Sequence, residues 1–104
     1  MKKKSYIFML TDQDRKRHEH ISEKGAICSF VIQYEILHDD KWVPVVRYDN
    51  AHGFAHKDLM KPGGSKEKIL IGSLDLNEAL TLADKDIQEN WTRYREHFLR
   101  RLKT

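Results

Sequence analysis

The sequence predicts an α+β fold: a small antiparallel β-sheet of three to four strands with a long C-terminal helix packed across one face. Three observations lead there. From Ala26 to Ile36 every even position is apolar or aromatic, the period of two of a strand with one buried face. Residues 42–49, "WVPVVRYD", follow after a short polar segment and complete an antiparallel hairpin. From Leu76 the period changes: Leu76, Leu80, Ala83, Ile87, Trp91, Tyr94, Phe98 and Leu102 form one helical stripe.

Taken in order, residues 1–24 read as a basic, charged N-terminal arm or linker, and residues 25–104 as a single α+β domain. "SYIFML" suits a short edge strand or a docking arm. Residues 12–24 carry eight charges and a single strong hydrophobe, Ile21, so no apolar face offers itself for burial. In the hairpin, a three-residue loop at 39–41 sets Ile36 opposite Pro44, Tyr34 opposite Val46 and Ile32 opposite Tyr48. That keeps apolar residues on one face, with Glu35, Gln33, Arg47 and Asp49 on the other, and a one-residue slip mixes the faces. Pro44 cannot donate to a ladder, which suggests an edge there. Pro62-Gly63-Gly64 centres a turn, and residues 68–72 form a third strand. Asp75 with Glu78 is a capping box, and arginines at 93, 95, 100 and 101 suit the negative end of the helix dipole. At ~1.5 Å per residue the helix runs roughly 40 Å, longer than a small sheet is wide. Its last turns are expected to overhang or to meet a second copy.

Composition bounds the chemistry. The chain has 104 residues, 34% of them charged and 39% apolar, which fits one domain with a thin core. Its one cysteine, Cys28, excludes an intrachain disulfide and a multi-cysteine zinc site, and reads as a small buried hydrophobe. Lys2-Lys3-Lys4 followed by five apolar residues imitates a signal peptide, but the run ends at Thr11, too short for one. No segment approaches the roughly 20 apolar residues of a membrane span. The cytoplasm is the expected compartment. Net charge is +3, distributed as +3 over residues 1–24, −4 over 25–92 and +4 over 93–104. Basic ends around an acidic middle suit phosphates, an acidic partner or a second copy.

The densest chemistry lies in residues 47–58, "RYDNAHGFAHKD", where a strand runs into a glycine-hinged loop. Three readings stand side by side. His52, His56 and Asp58 are ligand types for zinc or manganese, but Gly53 argues against the helix that a spacing of four would need. His52 and His56 also suit metal-free acid–base chemistry on RNA, with Arg47 and Lys57 on the phosphate and Asp49 beside them. Tyr94 or His97 joins only if the helix folds back. Alternatively the stretch is a turn, with Asp49 and Asn50 holding the backbone and Arg47 paired with Glu35. Lys61 and Lys66 around the Pro-Gly-Gly turn, with Arg95 on the helix, are candidates for tracking a phosphate backbone. His18 and His20 sit in the charged segment with no evident role. No cofactor motif is present.

The run Arg47-Tyr48-Asp49-Asn50-Ala51-His52, inside W-x-P-V-V-R-Y-D-N-A-H, resembles the TumE-like family of small prokaryotic proteins. The resemblance covers roughly residues 26–60, with a compatible helix afterwards. Those proteins are toxins of toxin–antitoxin pairs. The family usually has a denser histidine cluster after the motif, where this chain has His56-Lys57-Asp58. The resemblance implies an RNA-directed toxin with a cognate antitoxin as partner. A non-catalytic module that binds nucleic acid or protein is the alternative.

Overall fold

The computed structural model describes residues 1–51, 53–72 and 75–102. Among them are six strands and one helix: β1 (Lys2–Thr11), β2 (Asp14–Glu23), β3 (Ala26–His38), β4 (Lys41–Asp49), β5 (His56–Met60), β6 (Lys66–Leu70) and α1 (Leu76–Leu102). The strands form one antiparallel sheet in chain order, β1 to β6, each paired with the next. The expected sheet of three to four strands is therefore corrected to six. Residues 2–23, placed from sequence in an arm or linker, supply β1 and β2, with β1 the edge strand that "SYIFML" suits, and part of the loop after β4 is β5.

β2 escapes a hydrophobic reading for a physical reason. β2 alternates, but between two sets of polar side chains. Asp14, Lys16, His18 and His20 point to the helix side, while Arg15, Arg17 and Glu19 point to the other. Asp14, Lys16 and His18 are buried. Asp14 accepts hydrogen bonds from Thr11 and Tyr34, Lys16 bonds Asp84 of α1, and Arg15 and Arg17 both reach Glu35. A charged strand can be buried when each charge is matched, and hydrophobic periodicity does not register such matching.

β3 lies at the centre of the core. Phe30, Ile32, Tyr34 and Ile36 on its even face pack with Val46, Tyr48 and the helix residues Ala79, Ala83, Ile87 and Phe98. The helix spans the predicted range. Asp75 caps it by accepting the Glu78 backbone N–H at 2.8 Å. Its end overhangs less than expected, because the wider sheet supports Phe98, which is buried. At the start of β3 the expected burial fails: Ala26 and Cys28 are exposed.

The hairpin register is half as expected. Tyr34 faces Val46, Ile32 faces Tyr48, Gln33 faces Arg47 and Val31 faces Asp49. Nearer the turn the pairs shift by one, to Glu35–Pro44, Ile36–Val43 and Leu37–Trp42. The loop is two residues, Asp39 and Asp40, both at positive φ (51° and 61°), as in primed hairpin turns. A bulge at Val45 absorbs the difference and returns the apolar residues to the core face. β4 is an interior strand. Pro44 is tolerated because β5 pairs with β4 only from Val46 onward.

Two stability measurements test this arrangement. Ile87→Ala is expected to lower the unfolding free energy by about 2–5 kcal/mol through the cavity it leaves. Asp40→Gly, which relieves the positive φ, is expected to raise it by up to about 1 kcal/mol. A loss in the second variant would contradict the two-residue turn.

Candidate functional site

The sheet has two unlike faces. One carries α1. The other is open, yet it holds Gln33, Glu35, Asp49, His56 and Asp58, all buried. Their own partners cover them. The Arg15 Nε donates to Glu35 at 2.6 Å, with the guanidinium stacked 4.2 Å from the Trp42 ring. Arg17 reaches the other Glu35 oxygen at 3.4 Å. Gln33 donates to Glu35 and accepts from Arg47, and Arg47 Nε donates to Asp49 at 2.5 Å. The pairing expected between Arg47 and Glu35 is thus replaced: Arg47 holds Asp49, and β2 supplies the cations for Glu35.

The chain continues into β5 and β6. His56 Nε2 lies 3.0 Å from Asp49 Oδ1 and 3.7 Å from Asp58 Oδ2, and Lys66 Nζ is 3.6 Å from the same Asp58 oxygen. His56 Nδ1 is 3.2 Å from the Phe54 carbonyl oxygen. Both ring nitrogens therefore face oxygen acceptors. Burial works to raise the Asp49 carboxyl. The Arg47 guanidinium, the Ala51 N–H and His56 outweigh it and hold the group below the usual carboxylate range.

The "RYDN" residues build the frame for this site. Asn50 accepts the Phe30 N–H at 3.0 Å and donates to the Cys28 carbonyl at 3.2 Å, fastening the end of β4 to β3. Its own carbonyl accepts the Gly53 N–H, and Asp49 accepts the Ala51 N–H. The chain then reverses, so that β5 pairs Asp49 with His56 and Arg47 with Asp58. Gly53 sits at φ 91°, where a side chain would be strained.

Of the residues singled out from sequence, Arg47, Asp49 and His56 come together, with Lys66 next to them. His52 lies outside the described residues. Lys57 does not join them, because neighbouring residues of a strand point to opposite faces. It turns to the helix side, 2.6 Å from the Tyr94 hydroxyl and 3.4 Å from Asp86. Arg95 is also on the helix side, bonded to Asp14 at 3.1 Å and to Gln13. Lys61 belongs to the turn between β5 and β6, where its N–H bonds the Ser65 carbonyl. The three proposed phosphate-tracking cations thus do not share one surface.

Asp49, His56 and Asp58 also place one ligand atom each within 4.8 Å of one another, so β5 and β4 bring together the grouping suited to a divalent cation. Asp58 is 1% exposed, and its Oδ1 has no hydrogen-bond partner among the described residues. Against an ion, Arg47 and Lys66 already neutralise the two carboxylates.

Two clusters on the helix side were not read from sequence. Asp86 accepts the hydroxyls of Tyr48 at 2.6 Å and Tyr94 at 2.5 Å, and the Asn90 amide at 2.8 Å. The sign that could have found it is its place one residue before Ile87 on the buried stripe, with Asn90 and Tyr94 following at helical spacing. Burial, then the bond to Asp86, raises both tyrosines above their ordinary range. Burial opposes ionisation of Asp86 too, but the two hydroxyls, Asn90 and Lys57 overcome it and lower the carboxyl. The second cluster is His18 with His20, ring nitrogens 2.6 Å apart, and Tyr6 stacked on His18. Burial, then the His20 charge, holds His18 below the usual histidine range.

A carboxyl lowered in the folded state stabilises the fold above its unfolded pKa of about 3.9 and loses that contribution as pH falls through the lower folded value. Asp86→Asn is therefore expected to melt below wild type at pH 7, with the gap narrowing below about pH 4. A gap that stays constant down to pH 2 would contradict this role for Asp86.

No curated protein and no solved structure matches the chain. Among the described residues no helix is long and apolar enough to cross a membrane. The match that does appear covers residues 1–104, the whole sequence, and carries no activity, substrate or partner with it. By that match the chain belongs to the DUF7718 family, a domain of unknown function.

Proposed function

We propose that this protein is a toxin-like, RNA-directed protein of the cytoplasm, acting without a metal ion at the open face of its sheet. The observation that carries the reading is the buried Asp49–His56 pair, with the Arg47 guanidinium on the same carboxylate. Arg17 and Lys66, both about half exposed, flank it on the same face. A proton donor beside exposed cations supplies two of the three parts needed to cleave RNA through its own 2′-hydroxyl, the third being a proton acceptor. The "RYDNAH" motif, which carries the resemblance to the TumE-like toxins, supports the reading because its residues Arg47, Asp49 and Asn50 frame this same site.

In this scheme Arg47 and Arg17 hold the phosphodiester. The 2′ oxygen forms a bond to phosphorus as the bond to the 5′ oxygen breaks. His52 takes the 2′-hydroxyl proton, and His56 gives its Nε2 proton to the departing 5′ oxygen. Phosphate takes over the Arg47 guanidinium, which in the resting protein is bonded to Asp49. Lys57 has no part in this chemistry. Its ammonium anchors β5 to α1 through Tyr94 and Asp86.

Wild type and His56→Ala, expressed in bacteria, should differ in growth arrest and in RNA integrity. Purified His56→Ala is expected to cleave RNA about 10²–10⁴-fold more slowly, the range for loss of a general acid. Intact RNA with both proteins would end the cleavage reading. Salt-sensitive RNA binding without cleavage would instead select a non-catalytic binding module.

The Asp58 Oδ1, without a hydrogen-bond partner among the described residues, favours a second reading, in which Asp49, His56 and Asp58 hold zinc or manganese. The His56 Nδ1 contact to the Phe54 carbonyl is the kind of outer contact that orients a metal-bound imidazole. It requires Lys66, an exposed side chain, to swing off Asp58. Metal stoichiometry of wild type and Asp58→Asn separates the readings. Near-equimolar metal lost in the variant supports the ion, and activity unchanged by a chelator supports the proton-transfer scheme.

A further inference from the structure

We infer that β1 is a pairing edge for a second copy of this chain, giving a two-fold dimer with one continuous sheet and Ile7 at the axis. Among the described residues nothing pairs with the outer edge of β1, a ten-residue strand. Its centre holds four consecutive large hydrophobic side chains, Tyr6, Ile7, Phe8 and Met9, which are 38–52% exposed. An edge of this length and composition is a template for strand addition, and proteins that avoid pairing guard it with charge, proline or a bulge. The opposite edge shows such guarding: β6 is five residues long and opens with Lys66-Glu67-Lys68. β1 has its lysines at one end, its bulge at Leu10 near the other, and no guard between.

The occupant follows from the symmetry of the strand itself. Pairing two copies antiparallel must keep each residue on its own face, so partner numbers have the same parity. With Ile7 on the axis, Tyr6 lies opposite Phe8 of the second copy on the helix side, and Ser5 opposite Met9 on the open side. Each aromatic finds an aromatic, a favourable cross-strand pair. Lys2, Lys3 and Lys4 then run along the turn of the second copy, where Asp12 is an exposed carboxylate. Centring on Tyr6 instead sets Lys4 against Phe8 and Lys3 against Met9. Centring on Phe8 leaves only residues 7–9 of each strand paired before the bulge. The charge pattern and the apolar pattern therefore select the same register.

This dimer is independent of the RNA-directed reading, because Tyr6 to Met9 take no part in the Asp49–His56 site. The test is the mass in solution and the position of the axis. Sedimentation of wild type should give twice the 12.4 kDa chain mass. Ile7→Lys places like charges face to face and should weaken dimerisation roughly tenfold or more. Unchanged circular dichroism and melting of that variant's monomer establish that it still folds, as expected for an exposed position. In a Cys28→Ser background, Ile7→Cys should form an intermolecular disulfide on mild oxidation, ahead of cysteine at positions 3 or 11. A wild-type monomer, a dimer indifferent to Ile7→Lys, or crosslinking favoured at positions 3 or 11 would each overturn the proposal.

Discussion

Every buried carboxylate on the open face has a cation beside it, drawn from a neighbouring strand for Glu35 and Asp58 and from its own strand for Asp49. Glu35 and Asp49 lie on the two central strands, where an unpaired charge would cost several kcal/mol. Arg15 and Arg17 come from β2 to Glu35, Arg47 from within β4 to Asp49, and Lys66 from β6 to Asp58. The sheet is six strands wide partly because its middle needs both flanks. Removing β2 would strip Glu35 of its cations, and removing β6 would do the same to Asp58. The highly charged sequence of β2 is thus a requirement of the fold.

The two faces divide the labour. Apolar burial against α1 supplies the non-directional stabilisation, through Ile32, Tyr34, Ile36, Val46 and Ile87. The polar face supplies register. A one-residue slip of β4 against β3 would separate Gln33 from Arg47, and a slip of β5 would take His56 from Asp49. The bulge at Val45 serves both faces. It lets a two-residue turn close the hairpin and still delivers Arg47 and Asp49 to the open side.

The candidate site inherits its order from this frame. Asn50 fastens the end of β4 to β3, so the reversal before β5 is fixed at its start and His56 returns opposite Asp49. The same strand periodicity that brings His56 to the site sends Lys57 to the helix, where Asp86 and Tyr94 receive it. Adjacent residues of one motif therefore serve two different faces. A reading of the motif as a single cluster cannot separate them.

The sequence by itself determined the helix, its cap and its buried stripe, because a 3.6-residue period over 27 residues admits few other structures. It determined that β3 and β4 form a central hairpin, and the core face of β3 from Phe30 to Ile36, for the same reason, a sustained period of two. It also singled out residues 47–58 as the stretch where polar chemistry gathers. Only the tertiary structure decided that residues 14–23 are a strand, since their charges become compatible with burial only beside Glu35, Tyr34 and Asp84. Only it decided that Asp58 joins Asp49 and His56, and that Arg95 belongs to Asp14. Periodicity is a property of one segment and is written along the chain. The matching of charges is a property of pairs distant in sequence, and it exists only once the strands lie side by side.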